Sequence, residues 1–185
     1  DSYYYIDCPS EKTRYLYLSY LTSNQTEMLA QGQFIVDSLM SAKEGWHIVA
    51  IAHRWWQYSS SKTPTVGSVP TYEKDILSVF DSYNARQTRN GSNYFTAQDF
   101  SQGKAKVEFC IGGHIHAEYD FTSDGGIPII ITASDTNQER HEGDEDCGTK
   151  GTITEQAIYG IIADYKNNKI SVVGIGRGES REINL

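Results

Sequence analysis

Apolar side chains recur along the chain in short runs whose spacing alternates between strand and helix patterns. Seven runs have the length and composition of β-strands, at residues 2–6, 14–21, 46–52, 106–111, 127–132, 156–165 and 169–175. The first two predict a hairpin, and the last two, joined by Asn167 and Asn168, predict another. The three central runs are rich in apolar residues, and the run at 46–52 is typical of a strand that is covered on both faces.

Two segments have apolar residues at helical spacing, and they predict α-helices at residues 24–42 and 72–86. Asn24 followed by Glu27 resembles a capping box at the start of the first helix, and Gly45 follows its end. The order of strands and helices therefore predicts an α/β protein with mixed sheets flanked by helices.

The length and net charge of the chain limit the number of domains and the kinds of partner that it can bind. The chain has 185 residues, which is enough for a single domain over residues 1–185 and too short for two ordinary ones. It carries 24 acidic against 16 basic residues, so its negative surface disfavours non-specific binding to nucleic acids. It contains no apolar run of 18 residues, and no membrane-spanning helix is predicted.

The cysteines do not suggest a disulfide framework, because there are only three of them, at Cys8, Cys110 and Cys147. Cys110 lies in an apolar strand and is predicted to be a buried thiol. A bridge between Cys8 and Cys147 stays open as the less favoured alternative.

Three of the five histidines, His53, His114 and His116, directly follow predicted buried strands. His114 and His116 are two residues apart, so in extended backbone both imidazoles point to one side. Neutral imidazoles bind zinc, manganese, iron and nickel, and these three residues predict a metal site. The alternative is that the pair consists of polar residues on a solvated face.

The other distinctive residues have simpler interpretations. His47 begins a strand and is predicted to be structural, and His141 lies in an acidic segment that is predicted to be solvated. The tyrosine-rich first hairpin is compatible with a sugar-binding face, although alternating tyrosine and leucine more often form the two faces of a sheet.

The motif Gly113-His114-Ile115-His116, together with His53 at a strand end 61 positions earlier, resembles the calcineurin-like metallophosphoesterases. The similarity extends over essentially the whole chain and is greatest to the bacterial and phage-type members. It implies the C-terminal half of a four-layer α/β/β/α sandwich. The family's earlier motifs, Asp-x-His, Gly-Asp-x-x-Asp and Gly-Asn-His, do not occur, so we expect the chain to be a C-terminal part of the domain whose N-terminal part lies upstream.

By this resemblance His53 and His114 would bind one divalent ion and His116 a second in the complete site, with Mn, Fe or Zn as candidates. By itself the chain is expected to bind one ion weakly or none. The implied activity is hydrolysis of a small phosphomonoester or phosphodiester, with the chain inactive alone because the carboxylate motifs are missing. Arg54 could contact a substrate phosphate, although we favour a surface Arg54 and a structural Trp55 and Trp56. The competing hypothesis is a non-catalytic binding or structural module. We also expect an unpartnered apolar sheet face that supports a homodimer.

Overall fold

The computed structural model describes residues 3–21, 24–55, 69–114, 118–133 and 151–185. Within these ranges the chain forms two α-helices and eleven β-strands. In chain order they are β1 (Tyr4–Cys8), β2 (Thr13–Leu18), α1 (Gln25–Met40), β3 (His47–Ala52), α2 (Thr71–Asn84), β4 (Thr88–Arg89), β5 (Gln98–Asp99), β6 (Lys106–Gly112), β7 (Tyr119–Thr122), β8 (Pro128–Ile131), β9 (Ala157–Asp164), β10 (Lys169–Gly176) and β11 (Arg181–Asn184).

The largest sheet has six strands in the order β1-β2-β3-β6-β8-β7. Strands β2, β3, β6 and β8 are parallel to one another, whereas β1 and β7 are antiparallel strands at its two edges. The predicted first hairpin is therefore confirmed as β1 and β2, and the predicted mixed α/β class is confirmed with it.

Both helices cover one face of this sheet. The Asn24 side chain accepts a hydrogen bond from the Glu27 backbone N–H at the start of α1, which confirms the predicted cap. Ile35 of α1 and Phe80 of α2 pack with Ile48 of β3 in one apolar core. Neither helix in the described ranges is long and apolar enough to cross a membrane.

The opposite face of the six-stranded sheet is covered by a second sheet, with antiparallel strands in the order β11-β10-β9. Ile170 and Val172 of β10 pack against Val49, Phe109 and Ile130 of the larger sheet. The layers are therefore helices, a six-stranded sheet and a three-stranded sheet.

The sequence pattern misses strands β7 and β11, and the two-residue pairing of β4 with β5. Each missed strand has four residues or fewer, with half of its side chains exposed, so it carries little of the apolar signal that marks a central strand. The predicted loops at residues 57–70 and 134–151 lie almost wholly outside the described residues.

Candidate metal and phosphate site

Three neighbouring parallel strands end at the same edge of the six-stranded sheet. Leu18 of β2 is paired with Ala52 of β3, and Ile51 of β3 is paired with Ile111 of β6. The residues that follow these strand ends therefore meet. They include Tyr20, His53 and His114, and in open α/β sheets this edge is the usual place for a binding site.

His53 and His114 are in direct contact. The His53 Nε2 and His114 Nδ1 atoms are 3.1 Å apart, so one imidazole donates a hydrogen bond to the other. The ring planes meet edge to face at 76°, and the Gly113 N–H donates to the His53 carbonyl. Two of the three predicted ligands are thus side by side, whereas His116 lies outside the described residues.

The backbone at the end of β6 is set by close packing around Gly112. A Cβ atom on Gly112 would lie 2.6 Å from Cδ1 of Trp55 and 2.9 Å from the Ala52 carbonyl oxygen. The left-handed conformation belongs instead to His114, which has φ of 79° and is not a glycine. Such a conformation costs roughly 1–3 kcal/mol and is found preferentially at functional sites. Gly112 therefore allows close packing, while His114 itself adopts the left-handed conformation.

Arg54 is buried, with 8% of its surface exposed. Its Nε and Nη2 atoms donate to Oε1 of Glu73 at 2.9 and 2.6 Å, and its Nη1 donates to the Tyr20 hydroxyl at 2.9 Å. The expectation that Arg54 is a surface residue is therefore wrong, because helix α2 supplies a buried carboxylate beside it. Its contact with a substrate phosphate stays a prediction.

Glu73 and Trp55 are buried residues that hold the segment after β3 in place. Burial raises the pKa of Glu73, and the hydrogen bonds from Arg54 oppose that shift. Glu73 Oε2 accepts no hydrogen bond from the described residues. Trp55 is fully buried and donates from Nε1 to the Ile111 carbonyl, so it is structural as expected, and Trp56 lies outside the described residues.

Tyr20 is the site residue that sequence reasoning missed. Its ring centroid lies 5.4 Å from that of His53 and 5.8 Å from that of His114, and the Arg54 guanidinium lies over its face. The preceding residue, Ser19, is held at both its N–H and its carbonyl by the buried Gln31 side chain of α1. The signal that could have identified Tyr20 is its place after β2, once β2 is known to run parallel to β3.

The two imidazoles fit a metal ion only in part. Two nitrogens that bind one ion at ~2.1 Å in a tetrahedron lie roughly 3.4 Å apart, close to the 3.1 Å between His53 and His114. The described residues contain no group of three or more histidine, cysteine, aspartate or glutamate side chains arranged to hold a metal. The pair can therefore supply two ligands to one ion, but it brings no negative charge to balance two ions.

The remaining histidines and cysteines lie elsewhere. His47 is at the opposite end of β3, where Nδ1 contacts Oε1 of Glu108 at 2.7 Å and the ring stacks on Tyr165, so its predicted structural role is confirmed. Cys110 is a fully buried thiol, as predicted, and burial raises its pKa. Cys8 is also a free thiol.

Two further residues named above, His141 and Cys147, lie outside the described residues.

A scan against protein-family models and a search of curated proteins both found no match to this chain.

Proposed function

We propose that this chain is the C-terminal half of a metal-dependent phosphoester hydrolase of the calcineurin-like metallophosphoesterase type, acting on a phosphomonoester or phosphodiester. One observation carries the proposal. His53 and His114, at the carboxyl ends of adjacent parallel strands, approach to 3.1 Å between ring nitrogens, a separation close to that of two nitrogens that bind one ion.

The layer order supports the same proposal. Helices, a six-stranded sheet and a three-stranded sheet correspond to three layers of an α/β/β/α sandwich. The outer face of the three-stranded sheet exposes Ile158, Ile162, Val173 and Ile175, and a fourth layer from the upstream half would cover this apolar surface.

Both halves of the domain would supply ligands to the metal ions. His53 and His114 would hold one divalent ion and His116 would contribute to the second, while upstream carboxylate and asparagine side chains would supply the other ligands. When bound, such ions act as Lewis acids toward the phosphoryl group. Because the described residues of this half bring no carboxylate to the imidazoles, we expect the isolated chain to be inactive.

The test uses the parent protein and this chain side by side. With added manganese, the parent should hydrolyse bis(4-nitrophenyl) phosphate, and a His114→Ala substitution should reduce kcat/KM by at least a hundredfold. The isolated chain should show no turnover. A parent with no metal-dependent hydrolysis, or one that His114→Ala leaves unchanged, would contradict the proposal.

A second candidate is a non-catalytic binding or structural module that retains this half of the fold. The observation in its favour is that the described part of the chain offers no third metal ligand beside His53 and His114. The sequence upstream of Asp1 in the parent gene discriminates between the two. The enzyme requires Asp-x-His, Gly-Asp-x-x-Asp and Gly-Asn-His there, in that order.

A further inference from the structure

Tyr20 is held in place more firmly than an exposed tyrosine on a loop needs to be. Its backbone follows Ser19, whose N–H and carbonyl both bond to the Gln31 amide, and Gln31 is fully buried. Its hydroxyl accepts a hydrogen bond from Arg54, which is in turn bonded to the buried Glu73. Helix α1, the segment that follows β3, and helix α2 therefore determine where this phenol lies.

The bond to Arg54 also determines what the Tyr20 hydroxyl can do. A guanidinium group has donors and no acceptor, so Arg54 cannot take the hydroxyl proton. Within the described residues the phenol oxygen makes only the hydrogen bond that it accepts from Arg54. With 43% of Tyr20 exposed and its ring against both imidazoles, the proton is available to an acceptor at the site.

We propose that Tyr20 donates its hydroxyl hydrogen bond to an anionic oxygen of a ligand bound at the His53–His114 pair, and that this ligand carries a phosphoryl group. The inference rests on the proposed function, because it takes the imidazoles to hold a metal ion that binds the same group. Arg54 is then a positioning residue, which orients the Tyr20 hydroxyl and adds positive charge behind it. This arrangement selects ligands that are rich in acceptors, such as phosphates, over ligands that present donors.

The test measures two affinities of the isolated chain by calorimetry. Zinc is titrated first, and phenylphosphonate, a non-hydrolysable phosphomonoester mimic, is titrated into the zinc-loaded chain. Tyr20→Phe retains the ring and its contacts with both imidazoles and removes only the hydroxyl. We expect it to leave zinc affinity within about twofold of the wild type and to weaken phenylphosphonate at least tenfold, as the loss of a charge-assisted hydrogen bond does.

The matched control is Tyr4→Phe. Tyr4 is also exposed, and its ring stacks on Tyr17 of β2 rather than on either imidazole. It should leave both affinities unchanged. Equal phenylphosphonate affinity in the wild type and Tyr20→Phe, with zinc bound to both, would overturn this inference alone. Failure of the wild type to bind zinc would also overturn this inference, whereas the proposed function is tested separately by the activity of the parent protein.

Discussion

At the scale of single residues, the site depends on buried contacts that leave little freedom to the side chains around it. Gly112 lies under the indole of Trp55, and the backbone that leaves it places His114 in a left-handed conformation. The Gly112 carbonyl also accepts bonds from the N–H and the hydroxyl of Thr132. Small changes here should therefore alter both stability and the imidazole geometry.

Gly112→Ala provides a direct test of this packing. The added methyl group would overlap Trp55 and the Ala52 carbonyl, and relieving such an overlap costs about 1–3 kcal/mol. Gly113→Ala is the matched control, because its methyl group would meet nothing closer than 3.7 Å. Urea denaturation should show a lower free energy of unfolding for Gly112→Ala only. Equal losses in the two variants would show that the close approach at Gly112 is unimportant.

A second residue-scale prediction concerns acid stability. Arg14 donates from Nε and Nη2 to the two carboxylate oxygens of Asp7, and this pairing holds the pKa of Asp7 below its ordinary value of 3.8. Since the folded-state pKa is the lower one, the pairing stabilises the fold above pH 3.8, and this stabilisation is lost as the pH falls through the folded-state value.

We therefore expect Asp7→Asn to lower the free energy of unfolding by about 1 kcal/mol at pH 7. The difference from the wild type should shrink below pH 3.8. Thermal denaturation of both proteins from below pH 3.8 to pH 7 measures this stability difference. A difference that does not change with pH would contradict a stabilising role for the Asp7–Arg14 pair.

At the scale of elements, helix α1 is joined to the end of β2 by one buried side chain. Gln31 accepts from the Ser19 N–H at 2.7 Å, and its amide nitrogen donates to the Ser19 carbonyl and to the Tyr72 hydroxyl. Because Tyr20 follows Ser19, this helix-to-strand contact determines one side of the candidate site.

Replacing Gln31 by leucine keeps the volume and removes these bonds. The backbone groups of Ser19 then lose their partners, and we expect a loss of about 2–3 kcal/mol in the free energy of unfolding. Gln33→Leu is the control, since Gln33 is exposed on the same helix and, among the described residues, its side chain bonds only to Asp37. Chemical denaturation of both variants tests the point, and a loss below about 0.5 kcal/mol for Gln31→Leu would contradict it.

The elements that could be predicted from sequence are those with long, regular apolar patterns. Strands β3, β6 and β8 are rich in apolar residues and α1 has a capping residue, so local sequence was enough to identify them. The parallel pairing of β2 with β3 depends on tertiary packing, and no local sequence pattern predicts it. For that reason His53 and His114 were identified, whereas Tyr20 and its partners Gln31 and Glu73 were not.

At the scale of the whole molecule, the three-stranded sheet has one covered face and one open face. On the open side Val173 pairs with Gly160, and Ile175 pairs with Ile158. Ile158, Val173 and Ile175 are exposed there together with Ile162. Strand β9 lies at the edge of this sheet and contains no lysine, arginine or proline. An eight-residue edge without such residues favours pairing with another strand.

We predict that the isolated chain dimerises through this surface, with the open faces of two copies packed against each other about a twofold axis. The double substitution Ile158→Lys and Ile175→Lys should weaken association at least tenfold. Leu29→Lys, at an exposed position of α1, should leave it unchanged. Sedimentation equilibrium measures both. A wild-type chain that stays monomeric at high concentration would contradict the prediction.

The central claim is that His53 and His114 form a metal site. Titration of zinc into the isolated chain by calorimetry tests it most directly, with His53→Ala, His114→Ala and His47→Gln as variants. His47→Gln is the control, because His47 lies at the opposite end of β3 and contacts Glu108. We predict that both alanine variants weaken zinc at least tenfold while His47→Gln binds as the wild type does. An isotherm that His114→Ala leaves unchanged would contradict the claim.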